Sequence, residues 1–202
     1  VFLWQEGGAL PVALSRIVLE LKEKGLLGTV VSEGSCFGGD VEAPNIYSGL
    51  LAAAGGEPSP QLVLAGVGPG LVGTATAFGH GGMAAAIALN AAASLDAEPV
   101  LVPRLSSADP RVRHRGLSHH TRAVLRAALA GCRVAFPASL EASTEGLPDH
   151  HAYEFVEASA AGLQERFGVT FESMGRRYED DPVIFDAAAA AVALALDGGF
   201  PR

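Results

Sequence analysis

Cysteine and aromatic residues are scarce in this sequence. Only two cysteines, Cys36 and Cys132, occur among 202 residues, and they form neither a disulfide framework nor a CxxC metal pattern. A reducing compartment is the default for such a chain, so we expect a cytoplasmic protein. Aromatic residues make up 6% of the chain, so alanine, valine, leucine and glycine must supply most of the core.

Positive charge and long apolar runs are also scarce. The formal net charge is −8 and the pI about 5.2, which argues against nucleic-acid binding. The longest apolar runs, near 84–93 and 187–196, are too short to cross a membrane, and no signal peptide is recognisable. Basic residues concentrate only in 104–126, where they could attract a small anionic ligand or simply form a solvated surface.

What the chain does contain is a repeated alternation of short β-branched runs and amphipathic segments of helix length. The predicted strands are 1–4, 28–32, 61–65, 99–102, 133–136 and 169–173. The predicted helices are 10–24, 41–54, 83–95, 120–130, 151–167 and 182–196. This alternation predicts an α/β fold of three layers, α/β/α, around a mainly parallel, Rossmann-like sheet of about six strands. We expect a single domain over 1–202, and because the chain begins with Val we expect it to be part of a longer protein.

The segments that follow the predicted strands are long and polar, whereas the helix-to-strand connections are short. The long segments are 33–40, 66–82, 103–119 and 137–150. All six histidines lie in these segments or beside their ends: His80, His114, His119, His120, His150 and His151. Because ligands bind at the carboxyl ends of parallel strands, we expect these segments to converge on one site, although surface loops are polar in any case.

The first of these segments places Cys36 in a G-x-C-x-G pattern between a strand and a helix. This pattern is typical of a nucleophile elbow, and the segment is similar to that of dienelactone hydrolases, although too few strands precede it. A thiol at a helix N-terminus has a lowered pKa and would be reactive. The alternative is a glycine-rich turn holding a small apolar cysteine. Asp40 caps the next helix in the simplest interpretation, and in another it faces the site together with Glu42.

The second segment is rich in glycine and threonine. Its candidate ligand-binding residues are Gly68, Gly70, Gly73, Thr74 and Thr76. The glycines fit G-x-G-x-x-G, but the segment is too long for a Rossmann turn and lacks the lysine of a P-loop. Backbone N–H groups in such a segment can approach a phosphate or carboxylate closely, unless the glycines serve the loop structure alone.

The third segment carries adjacent histidines. Ser118 is a natural helix cap, which places His119 and His120 in the first turn, where the helix dipole favours neutral, ligand-competent imidazoles. Together with His80 they could hold a divalent metal or transfer protons. The remaining candidates for neutralising an anion are Arg104, Arg113 and Arg115.

Three motifs carry a resemblance to a known family. They are GGDxEA at 38–43, GVGPGxVGTxT at 66–76 and HRGLSHHT at 114–121. Together they resemble an uncharacterised bacterial family, the domain of unknown function 3866. The resemblance implies a shared fold and shared loops, and family members with an additional N-terminal portion, but no particular reaction.

Three functions remain open from the sequence. The first is an α/β domain that binds a small anionic or phosphorylated ligand, with metal- or histidine-assisted chemistry. The second is a hydrolase with Cys36 as nucleophile and a loop histidine as base. The third is a non-catalytic binding or assembly module, and in each case a homo-oligomer is compatible with the composition.

Overall fold

The computed structural model describes residues 1–56, 62–140 and 144–197. The chain divides into two compact units, Val1–Ala97 and Glu98–Arg202. The expectation of a single domain that belongs to a longer protein stays a prediction. Among the described residues, no helix combines the length and apolar content needed to cross a bilayer.

The first unit is built on a four-stranded parallel sheet. Its elements are β1 (Phe2–Gln5), α1 (Arg16–Glu23), β2 (Val30–Glu33), β3 (Val41–Ala43), α2 (Ile46–Ala54), β4 (Leu64–Val67) and α3 (Ala84–Ser94). The strand order is β3-β2-β1-β4. Leu3 packs with apolar residues of α2 and α3, and its neighbour Trp4 packs with Val18 of α1. Since successive strand residues point to opposite faces, helices cover this sheet on both sides.

The second unit contains a smaller parallel sheet and two short antiparallel pairs. Its strands are β5 (Val100–Leu101), β6 (Leu105–Ser106), β7 (Gly116–Leu117), β8 (Arg133–Pro137), β9 (Ala152–Val156), β10 (Glu172–Ser173) and β11 (Arg176–Arg177). Its helices are α4 (His119–Ala127), α5 (Leu163–Phe167) and α6 (Pro182–Asp197). The parallel order is β5-β8-β9, while β6 pairs with β7 and β10 with β11. Ala190, Ala191 and Leu194 of α6 pack against Ala135 of β8.

The α/β class is confirmed, but the prediction of one sheet of about six strands is wrong. In the described ranges the parallel strands form one sheet of four and one of three. The alternation of strands and helices along a sequence is a local signal, and it does not specify which strands exchange hydrogen bonds. The predicted strand 169–173 contributes only β10, which turns back on β11 in an antiparallel pair.

Three predicted helices have the wrong extent. The helix predicted over 10–24 begins only at Arg16, because Ser15 caps it. The helix predicted over 41–54 begins only at Ile46, because 41–43 pairs with β2 and Asn45, not Asp40, caps the helix. The helix predicted over 151–167 is a strand over Ala152–Val156 followed by the short α5. Its tyrosine, phenylalanine and valine favour a strand once β8 is available as a partner. Part of the strand predicted over 61–65 lies outside the described residues.

Candidate functional site

The segment 102–118 follows the carboxyl end of β5 and contains the hairpin β6–β7. It ends at Ser118, which is fully buried and whose hydroxyl accepts a hydrogen bond from the backbone N–H of His120 at 3.2 Å. A serine in this position stabilises the first turn of a helix. The cap therefore fixes where α4 begins, and it confirms that His119 and His120 occupy its first turn.

Three imidazoles come together at this helix start. The ring centroids of His119 and His120 are 4.3 Å apart, and each lies 4.8 Å from that of His114. One ligand atom from each histidine lies within 4.8 Å of the other two, so the group could hold a metal ion. The sequence placed His114 in this loop without singling it out. Its signal is the spacing to Ser118, four residues on.

The imidazole of His114 is held by Ser118. His114 is 1% exposed, and its Nδ1 lies 2.7 Å from Ser118 Oγ. When Nδ1–H donates to that oxygen, Nε2 keeps its lone pair, which is the arrangement found behind metal-binding histidines. Burial, together with the nearby Arg104 and Arg111, lowers the pKa of His114 to about 4. Burial also lowers the pKa of His119, so both rings are neutral at pH 7.

A cluster of arginines surrounds a buried carboxylate beside these histidines. Asp109 is fully buried and accepts from Arg111 Nε at 3.0 Å and Nη2 at 2.9 Å. Nη2 atoms of Arg104 and Arg176 each lie 3.5 Å from Asp109 Oδ2. Hydrogen bonds from Arg111 hold the pKa of Asp109 well below its usual range, so this carboxylate is charged at neutral pH. Arg115 Nε donates to the Asp109 carbonyl oxygen at 2.8 Å.

The positive charge of this cluster exceeds its negative charge. Arg104, Arg111 and Arg176 pair with two buried carboxylates, Asp109 and Asp181, and Arg113 and Arg115 add two further positive charges in the same segment. Arg176 Nε donates to Asp181 Oδ2 at 3.0 Å. Arg113 is exposed and makes no hydrogen bond or ion pair with the described residues, although its charge contributes to the lowered pKa of His119. The sequence identified Arg104, Arg113 and Arg115 but missed Arg111 and Arg176.

The glycine-rich segment and His80 belong to the first unit. Gly70 has φ +91°, and a side chain there would press on Ala9, while a side chain at Gly68 would overlap the indole of Trp4. Packing against β1 and the loop that follows it therefore accounts for these two glycines. His80 pairs with Gly73 in an isolated antiparallel bridge. His80 is not part of the three-histidine group, and its role as a metal ligand stays a prediction.

The two threonines of this segment stabilise a turn. The Oγ1 atoms of Thr74 and Thr76 are 2.9 Å apart, and Thr74 Oγ1 also donates to the Gly79 carbonyl at 3.2 Å. The backbone N–H of Thr74 donates to the same carbonyl at 2.6 Å. Local hydrogen bonds thus occupy both hydroxyls. Binding of an anion by this segment stays a prediction.

The surroundings of Cys36 differ from those of a nucleophile elbow. No helix begins directly after Cys36, because the loop continues into β3 and α2 starts only at Ile46, so the predicted helix N-terminus beside Cys36 is wrong. The side chain packs against the cluster that contains Trp4 and Val12. Burial raises the pKa of the Cys36 thiol, opposite to the shift that a helix N-terminus would produce.

The two acidic residues after Cys36 have structural partners. Asp40 accepts from Lys22 Nζ at 2.6 Å and from the Val30 backbone N–H at 2.8 Å, which ties α1 to β2. Lys22 accordingly lowers the pKa of Asp40. Glu42 Oε1 accepts from the Gly38 N–H at 3.0 Å and closes the loop. Their predicted role in orienting a ligand stays a prediction.

The remaining histidines bind backbone groups. His151 Nδ1 accepts from the Cys132 N–H at 3.3 Å, and Nε2 lies 2.9 Å from the Leu125 carbonyl oxygen. His150 Nε2 lies 2.9 Å from the Ala128 carbonyl oxygen. These contacts tie the end of α4 to the residues that directly precede β8 and β9.

Fold and site together define an α/β protein with parallel sheets and a three-histidine cluster that could hold a metal. The profile of a protein family described as "Protein of unknown function (DUF3866)" matches residues 1–192. The chain belongs to this family, and the resemblance carried by the three sequence motifs is confirmed. Comparisons with curated proteins and with solved structures gave no match.

Proposed function

We propose that the second unit is a metal-dependent site for a small anionic ligand, with hydrolysis of a phosphorylated compound as its reaction. The observation that carries the proposal is the convergence of three imidazoles, His114, His119 and His120, on one point. The segment that holds them follows the carboxyl end of β5, where parallel sheets usually bind ligands.

The donor set favours a divalent transition metal such as Zn²⁺. Three neutral imidazoles with a fourth position left for water form a common catalytic zinc site. Ligand nitrogens around tetrahedral zinc are about 3.4 Å apart, given Zn–N bonds of about 2.1 Å. The three ligand atoms, now up to 4.8 Å apart, therefore have to move closer together when the metal binds. Ser118 keeps the His114 ring oriented in the meantime.

The positive charge around the three histidines favours an anionic ligand bound next to the metal. A cation bound beside the positive end of α4 and five arginines is repelled, and an anion bound next to the metal relieves this repulsion. Arg113 has no carboxylate partner among the described residues and is available to a phosphate. A metal in this position would activate bound water as the nucleophile and polarise the phosphoryl oxygen.

The first experiment measures metal binding. The purified chain is stripped with a chelator, titrated with Zn²⁺ and analysed for metal content. We expect one Zn²⁺ per chain, and at least about a tenfold loss of affinity in His114→Ala, His119→Ala and His120→Ala. His80→Ala serves as the control for removing a histidine and should bind Zn²⁺ as the wild type does. Equal Zn²⁺ affinity in all four variants would contradict the proposed metal site.

The second experiment measures anion binding with inorganic phosphate and turnover with 4-nitrophenyl phosphate. Phosphate should bind more tightly to the zinc-loaded chain than to the stripped one. Arg113→Gln should weaken it about threefold, as expected for an exposed charge pair. Arg126→Gln removes another exposed arginine, from the last turn of α4, and is the matched control. If the affinity for phosphate changes neither with Zn²⁺ nor in Arg113→Gln, the proposed anion site is refuted.

A further inference from the structure

Three aspartates of the second unit are buried in the described residues, and only Asp186 lacks a cationic partner. Asp109 and Asp181 each receive hydrogen bonds from an arginine. Asp186, on α6, is 8% exposed and makes no ion pair with the described residues. A buried carboxylate is normally paired with a cation or bound to a metal, so Asp186 is the exception.

The contacts of Asp186 satisfy only one of its two oxygens. Oδ1 accepts from the Ala160 N–H at 2.7 Å, from Tyr178 OH at 3.1 Å and from Ser159 Oγ at 3.2 Å. All three donors are neutral. Oδ2 accepts no hydrogen bond from the described residues, and it is not among the fully enclosed polar atoms. The carboxylate is thus held in place on one side and has an acceptor left on the other.

The side chain of Asp186 lines a cavity of about 380 Å³. The other lining residues described are Ser139, Glu157, Ala158 and Ser159, so the wall carries a second carboxylate and two hydroxyls but no basic side chain. The volume lies within the range of small-molecule sites, about 300–1,000 Å³. It is much larger than a bare metal ion needs.

The cavity also lies where an α/β fold binds ligands. Ser139 follows the end of β8, and Glu157 follows the end of β9 directly. Both strands are parallel members of the sheet β5-β8-β9, so their carboxyl ends share one edge. Asp186 reaches this edge from α6, where Ser159 and Ala160 hold its carboxylate.

We infer that this cavity binds the ammonium group of a small organic amine. An ammonium donates three hydrogen bonds, and it supplies the positively charged partner that Asp186 lacks among the described residues. Asp186 Oδ2 would accept one of them, Glu157 would add a second negative charge, and the hydroxyls of Ser139 and Ser159 would contact the rest of the molecule. This inference is independent of the metal site, because it uses none of the histidines.

The test is a calorimetric titration of the full chain with 1,4-diaminobutane at pH 7.5, in the presence of EDTA so that the metal site plays no part. Asp186→Asn keeps the shape of the side chain but removes its charge, and should weaken binding at least about tenfold. Glu157→Gln, at an exposed position, should weaken it less. Glu165→Gln removes an exposed carboxylate from α5 outside the cavity wall and should leave it unchanged.

Several results would overturn the inference. One is equal affinity of the wild type and of a folded Asp186→Asn variant, with folding checked by circular dichroism. If Asp186→Asn does not fold, the Glu157→Gln variant decides, and unchanged affinity there counts against the inference. Binding of butane-1,4-diol as tight as that of the diamine would show that the positive charge is not recognised. In a competition run without EDTA, displacement of the diamine by millimolar Mg²⁺ would instead assign the cavity to an inorganic cation.

Discussion

Replacement of Ser118 by alanine is the sharpest test of the candidate metal site, because one hydroxyl serves two purposes there. It caps α4 and it holds the His114 ring. Loss of a serine cap costs about 1 kcal/mol of stability. A buried imidazole nitrogen without its partner costs about 1–3 kcal/mol. The free energy of unfolding, measured with urea, should therefore fall by about 2–4 kcal/mol in Ser118→Ala.

The same substitution should weaken Zn²⁺ binding about 10–100-fold, as removal of such supporting residues typically does. Ser15→Ala is the matched control. Ser15 is also a buried helix cap, 3.4 Å from the Val18 backbone nitrogen, but it contacts no imidazole. It should cost only about 1 kcal/mol and leave Zn²⁺ affinity unchanged. Wild-type Zn²⁺ affinity in Ser118→Ala would refute the reasoning, since His114 would then bind the metal without being held.

Three further outcomes follow from the contacts described. Asp109→Asn removes the buried negative charge that pairs with Arg111, and it should lower the free energy of unfolding by about 1.5–3 kcal/mol, because Arg111 itself is partly exposed to water. The pKa of Asp109 is held below its usual range, so its contribution is present above about pH 4 and is lost as the pH falls further; the acid-unfolding midpoint should rise in Asp109→Asn, and an unchanged midpoint would contradict this. Gly68→Ala should lower the free energy of unfolding by about 1–3 kcal/mol in a urea titration, because the added methyl group overlaps Trp4. In Gly116→Ala the added methyl group meets no atom within 4 Å, so any loss of stability there comes from the positive φ of Gly116 and not from overlap. Burial raises the pKa of Cys132 to about 11, so iodoacetamide should not modify it at pH 7.5 in the folded chain; rapid modification would show that the thiol is accessible and ionised.

Those parts of the fold that carry their own signal were predictable from the sequence. The helices at 83–95 and 182–196 were found within a few residues, because continuous alanine-rich stretches favour helix without help from neighbours. Ala152–Val156 was missed because its strand forms only by pairing with β8, which lies about twenty residues earlier in the chain. The separation into two sheets depends entirely on such pairings between distant strands, so no local sequence pattern predicts it.

The candidate site was predictable only where it is contiguous. Ser118 and the two histidines that follow it have the pattern of a helix start, and the structure has them there. Arg176 could not be found in this way, because it meets Asp109 from 67 residues further along the chain. Asp186 was missed for a similar reason, since a carboxylate within an alanine-rich helix gives no sign of a cavity beside it.

The three imidazoles all lie within the seven residues from His114 to His120. Loops usually tolerate insertions and deletions during evolution, but here one added or lost residue would turn the rings away from each other. Chains that share this site must therefore preserve the length of the segment as strictly as its histidines. Family members with a gap between these positions would have lost the site, even where every histidine is still present.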